Sequence, residues 1–189
     1  MNRDQAFVIL QKYLSNPNLI KHSLATEAAM KALCTRLNQN PTPELIEKWG
    51  VTGLLHDADY QMTGNDVRMH GLLLFQKEPD IIPDDIAYAI KAHNYQNTGI
   101  EPQSSLDWAI ACCDQLTGLI VATTLVSPTK KLDGINAESV LKRFKEKSFA
   151  KGADRAIISL CEEKLGITLE EFTQIILKSM QDIAPQLGL

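Results

Sequence analysis

The chain of 189 residues is short of every residue class that marks a specialised architecture. Its 10 glycines and 8 prolines are scattered, with no repeat or low-complexity tract, which excludes a collagen-like or disordered chain. The four cysteines, Cys34, Cys112, Cys113 and Cys161, form no C-x-x-C spacing and sit among apolar neighbours. That placement predicts reduced core thiols and excludes a disulfide scaffold. No uninterrupted apolar run approaches the roughly 18 residues that span a bilayer. The start, Met1-Asn2-Arg3-Asp4-Gln5, lacks the basic-then-apolar pattern of a secretion signal. Both absences predict a cytoplasmic protein with no membrane partner. A basic surplus is missing too, since 19 Lys and Arg face 23 Asp and Glu for a net charge of −4. A protein that coats nucleic acid on phosphate contacts is thereby excluded, but a small anionic substrate held through a metal is not.

What is present, 44% hydrophobic and 22% charged residues, suits a single domain over 1–189 with a sizeable core. Helical periodicity covers 3–14, 18–38, 43–57, 64–77, 83–94, 104–126, 137–147, 153–164 and 168–184. Starts are marked by Thr42-Pro43-Glu44, by Pro83-Asp84-Asp85 and by a capping box at Ser104-Ser105-Leu106-Asp107. No stretch alternates with period two, so the expected fold is all-α. Gly64-Asn65-Asp66 reads as a turn, and 127–134 as a surface loop before a C-terminal helical extension over about 135–189. The last helix, with Leu169, Phe172, Ile175, Ile176 and Met180 on one face, is expected to close a core and could also support a homodimer.

Five helices each carry one histidine or aspartate on an apolar stripe. His22 shares a face with Ala25, Ala29 and Leu33; His56, followed at once by Asp57, with Leu45, Trp49 and Thr52. His70 aligns with Val67, Leu73 and Leu74, His93 with Ile86 and Ile90, and Asp114 with Ile110, Thr117 and Val121. One such histidine is an ordinary hydrogen-bonded core residue. Here all four histidines of the chain face inward with a carboxylate that no Lys or Arg on those stripes can pair. Imidazoles and carboxylates converging from several helices are how helical bundles build metal sites.

The order His22, then His56-Asp57 within Gly53-Leu54-Leu55-His56-Asp57, then Asp114 resembles the H…HD…D pattern of the HD-domain superfamily of metal-dependent phosphohydrolases. The resemblance covers about residues 18–125 and implies an all-α HD-domain bundle in which His22, His56, Asp57 and Asp114 bind a divalent ion. His70 and His93 match positions that hold a second ion in binuclear branches, with Asp57 bridging. The chain lacks the GYP motif of the HD-GYP phosphodiesterases and has Asn94 where they carry a second adjacent histidine. The ligand order is also that of HD-fold di-iron oxygenases resembling myo-inositol oxygenase. Over its whole length, including Pro128-Thr129-Lys130-Lys131 and Lys145-Glu146-Lys147-Ser148-Phe149-Ala150, the chain is similar to predicted hydrolases of the HD superfamily.

The implied activity is a phosphohydrolase acting on a small-molecule or nucleotide phosphate ester, with one or two ions of Mn, Fe, Zn, Ni, Co or Mg activating water. Asp57, Asp59 and Asp66 are the carboxylates available for acid–base work, although Asp59 and Asp66 also read as loop and first-turn acids. Lys130 and Lys131 resemble a phosphate clamp, but a straight helix from 114 to 126 spans about 18 Å, so their loop must fold back to reach the metal. Between Lys130 and Arg155 basic residues exceed acidic ones. That stretch reads as a solvated face or, alternatively, as a rim that steers an anionic substrate.

Overall fold

Polar side chains at the expected starts accept the first free backbone N–H groups of most long helices. Asn2, Asn16, Thr42, Ser104, Asn136, Asp154 and Thr168 all cap in this way. In the computed structural model, which describes residues 1–64 and 66–189, the helices are α1 (Arg3–Tyr13), α2 (Pro17–Leu37), α3 (Pro43–Leu55), α4 (Leu73–Lys77), α5 (Asp84–His93), α6 (Tyr95–Thr98), α7 (Ser105–Leu125), α8 (Ala137–Lys145), α9 (Arg155–Leu165), α10 (Leu169–Asp182) and α11 (Ala184–Leu187). No strand occurs among the described residues, and the fold is all-α. The turn expected at Gly64-Asn65-Asp66 centres on the one residue outside that description.

Two hydrophobic clusters fill the interior. One packs α1, α3, α4 and α5 through Leu10, Leu54, Leu74 and Ile90. The other gathers α2, α7 and the C-terminal helices around Leu33, Leu116, Ile158 and Phe172. The C-terminal extension therefore shares a core with α2 and α7, and the apolar face of α10 is spent on closing it. All four cysteines are free and buried, as expected. Helix α7, although Asp107 and Asp114 interrupt its apolar run, is by length and composition apolar enough to cross a bilayer. Most of it is buried between α2, α5 and α9, where it serves as the central helix of the fold.

The helix expected over 64–77 shrinks to α4, preceded by a single 3-10 turn at Tyr60–Met62 and further turns. Two features account for this. Gly71 takes a left-handed φ of 86°, which ends any helix passing through it. The carboxylate of Asp59 then accepts the N–H groups of Gly71, Leu73 and Leu74, donors that a continuous helix would pair with its own carbonyls.

Helices α2 and α3 press backbone to backbone at Gly53. A β-carbon there would stand 2.7 Å from the carbonyl oxygen of Thr26 and 3.0 Å from the amide nitrogen of Glu27. Both are backbone atoms and cannot swing away, so Gly53→Ala is expected to destabilise the fold by about 1–3 kcal/mol through overpacking. Denaturant melts check this; a variant as stable as the parent would show that α2 and α3 separate without cost.

Candidate metal centre

Each histidine is fixed by what its Nδ1 touches. His56, one residue past α3, and His93, the last residue of α5, donate Nδ1–H to the carbonyls three residues back, Gly53 at 2.8 Å and Ile90. His70 turns Nδ1 to Asp59 at 2.9 Å, and His22 turns Nδ1 to the hydroxyl of Thr117 at 3.4 Å. The Thr117 hydroxyl already donates to the carbonyl of Asp114, so it accepts from His22. All four rings consequently aim Nε2 at one place.

There they meet Asp57 and Asp114. Nε2 of His22 lies 2.9 Å from Asp114 Oδ1 and 3.4 Å from Asp57 Oδ2, and Nε2 of His56 lies 3.4 Å from Asp114 Oδ1. On the other side of Asp57, Oδ1 is 3.0 Å from Nε2 of His70 and 4.0 Å from Nε2 of His93. Donor atoms thus fall into two groups, His22, His56, Asp57 and Asp114 in one and Asp57, His70 and His93 in the other, with Asp57 common to both.

The residues present fit divalent ions. With metal–ligand bonds of about 2.1 Å, neighbouring donors stand about 3.0 Å apart in an octahedron and about 3.4 Å in a tetrahedron, close to most of the spacings here, with His93 to Asp57 at 4.0 Å the widest. The nitrogen pairs point the same way: Nε2 of His22 is 3.2 Å from Nε2 of His56, and Nε2 of His70 is 3.0 Å from Nε2 of His93. Two neutral imidazoles whose Nδ1–H groups are already committed offer only lone pairs to each other, and a cation resolves that repulsion. No Lys or Arg pairs with Asp57 or Asp114 among the described residues.

In the metal-free protein, protons take that part. Burial opposes charge on His22, but the hydrogen bond to Asp114 and the field of Asp57 hold its pKa at about 9. Burial likewise opposes charge on His70, and hydrogen bonds to Asp57 and Asp59 raise it to about 10. His93 is pushed down to about 4 by burial and by the neighbouring His70 and His56. Burial works against ionising Asp57 and Asp114 as well, yet the imidazoles around them hold both carboxyls below the usual range.

The cluster opens on a cavity of about 390 Å³ whose remaining lining includes Tyr60, Asn94, Gln96, Asn97 and Gln115. A second cavity, of about 500 Å³ between α2, α7 and α11, reaches His22 from the other side. Sequence reasoning missed Gln115, which donates to Asp114 at 2.7 Å and accepts from the Asp154 N–H, and Asn94, whose amide holds the carbonyls of Val67 and His70. Thr117 was visible one turn beyond Asp114 on the same stripe.

The structure brings together His22, His56, Asp57, His70, His93 and Asp114, but not the other expected residues. Asp59 is fully buried and commits both oxygens to the backbone of 71–74 and to His70, so it positions a ring and has no free oxygen for proton transfer. Asp66 is solvent-facing and paired with Arg68 at 3.0 Å. Lys130 and Lys131 line neither cavity; Lys131 reaches the carbonyl of Gly188, a lining residue of the larger one, at 3.5 Å. No family model, characterised protein or solved structure matches the chain.

Two outcomes follow. Loading the metal-free protein with Mn or Zn near pH 7.5 is expected to release about two protons per chain, from His22 and His70. Calorimetry in buffers of different ionisation enthalpy measures this, and a buffer-independent heat would contradict it. Asp59→Asn should weaken the ion held by His70 and His93 by about 10–100-fold while leaving the other in place, as loss of an outer partner does. Metal content after dialysis against graded chelator reports the difference.

Proposed function

We propose that the chain is a metal-dependent phosphohydrolase of the HD-domain type, acting on a phosphate ester of a small molecule. The observation that carries this is Asp57 shared between two converging donor groups at the floor of an open cavity. In the first group His22, His56 and Asp114 would hold one ion with Asp57, and in the second His70 and His93 would hold another. Divalent ions in such a setting supply Lewis acidity, which makes water a nucleophile near neutral pH and polarises a phosphoryl oxygen.

The chain's own residues do the rest. The carbonyls of Gly53 and Ile90, the Thr117 hydroxyl and the Asp59 carboxylate hold the four rings in register. Gln115 orients Asp114 from outside. Beyond the cluster the cavity wall carries the amides of Asn94, Gln96, Asn97 and Gln115, a half-exposed Tyr60 ring edge-on to His70, the apolar Val67 and Ile157 and one carboxylate, Asp154, with no Lys or Arg. Such a wall suits the uncharged organic part of an ester, bonded through amides and packed on an aromatic face. Four imidazoles and two carboxylates also suit two irons, which makes a di-iron oxygenase the second reading.

Elemental analysis of untagged, chelator-free protein is the first test. Manganese, nickel, zinc or magnesium, followed by phosphate release from a panel of esters, supports the hydrolase; two irons and oxygen-dependent turnover overturn it. Asp57→Ala should cost at least about 100-fold in activity, more than loss of an outer-shell partner costs. Metal-loaded protein inert toward monoesters and diesters alike would also count against the reading.

A further inference from the structure

The stretch Lys145–Arg155 has no part in the centre described above, yet it adjoins it. Gly152 borders the cavity on Asp57 and His70, a narrower one on His22 and Asp114, and a groove of about 690 Å³ on the outer side lined by Phe144, Lys145, Lys147 and Lys151. A β-carbon on Gly152 would meet nothing within 4 Å, so this shared border residue faces open space.

Charge in the groove is unbalanced. Five lysines elsewhere are paired with carboxylates, Lys12, Lys31, Lys48, Lys164 and Lys178, while Lys21, Lys77, Lys91, Lys130, Lys131 and Lys142 are scattered along the chain without one among the described residues. Lys145, Lys147 and Lys151 are exposed and have no carboxylate within ion-pairing distance among the described residues. The two acids nearest in sequence are already engaged: Glu146 pairs with Arg143 at 2.7 Å, and Asp154 caps α9 through the N–H groups of Ala156 and Ile157. In a chain of net charge −4, three unneutralised ammonium groups at the end of α8 and in the loop after it leave a local positive field.

The backbone adds donors. Ala150 has a left-handed φ of 43°, a costly conformation for a residue with a side chain. The Arg155 guanidinium holds it there by donating to the carbonyls of Phe149, Ala150 and Ala153. With those carbonyls turned to Arg155, the N–H groups of Ala150, Lys151 and Gly152 find no acceptor among the described residues. Successive free N–H groups beside a left-handed residue form a concavity that suits an anion.

We propose that Lys145–Arg155 is a second anion site, in which the Ala150–Gly152 N–H groups and the ammonium groups of Lys145, Lys147 and Lys151 bind a phosphoryl group remote from the one at the His/Asp cluster. The substrate class is then a small molecule bearing two phosphoryl groups, and this part rests on the phosphohydrolase reading. The anion site itself does not.

Calorimetric titration of metal-loaded protein at low ionic strength with a hexose 6-phosphate and a hexose 1,6-bisphosphate tests it. The bisphosphate is expected to bind about tenfold or more tightly, the gain from one further set of charge-assisted contacts. Changing Lys145, Lys147 and Lys151 together to Ala should abolish that preference and leave monophosphate affinity within about twofold, because the removed cations face only the remote group. Equal affinity for the two probes, no binding of either, or a preference that survives the triple substitution overturns the proposal. Preference without phosphate release keeps the anion site and removes the hydrolase reading; phosphate release without preference does the reverse.

Discussion

Two carboxylates, Asp57 buried and Asp114 partly buried, with no Lys or Arg to pair them among the described residues, set the terms for the centre of this fold. Ionised Asp57 and Asp114 close together in the interior are tolerable only if positive charge reaches them. The chain answers the same problem differently at Glu27, which is buried between the guanidinium of Arg3 and the ammonium of Lys31. That carboxylate is closed off by its partners and ties α1 to α2. Around Asp57 and Asp114 the neighbours are imidazoles, which are cations when protonated and lone-pair donors when not. The charge that completes the interior is therefore exchangeable, and the cluster can take up an ion where Glu27 cannot.

Holding four rings in one orientation needs four independent acceptors, and the helix ends supply two of them. A helix leaves its last carbonyls without partners. Both His56 and His93 use that vacancy in the same way, sitting at the end of a helix and donating Nδ1–H to the carbonyl three residues back. The ends of α3 and α5 must then lie close to each other and to the middle of α7. Small residues permit it. Gly53 lets α3 press on the backbone of α2, and at Gly71 a β-carbon would stand 2.9 Å from the Ile90 carbonyl that His93 uses. Overpacking at either glycine would be felt first at a ligand.

Much of this could be read from the sequence because it depends on local rules. Capping residues and apolar periodicity placed the long helices within a few residues of their observed ends. The same periodicity put His22, His56, His93 and Asp114 on inward faces. His70 was placed inward for a mistaken reason: its helical stripe does not exist, Val67 is exposed, and the ring reaches the cluster from a turn held by Asp59. Nothing in a periodic pattern announces that a carboxylate eleven residues earlier will capture the backbone of a would-be helix. The loop at 148–153 was equally illegible, since its geometry depends on Arg155 reaching back to three carbonyls. Basic composition was visible there, but its proximity to Asp57 and His22 arises only when α9 packs on α7.

Keeping the basic residues one loop away from the metal ligands follows from the same electrostatics. A lysine inside the cluster would pair with Asp57 or Asp114 directly and hold the place a divalent ion requires, as Arg3 and Lys31 do at Glu27. The ammonium groups of the groove beyond Gly152 pair with neither carboxylate. Solvent and salt weaken their field on the buried ligands much more than on an anion arriving through the same solvent. Under the proposed reading, cations of the groove and imidazoles of the cluster would divide two tasks that one set of residues could not perform together, attracting an anion and leaving room for the metal that would act on it.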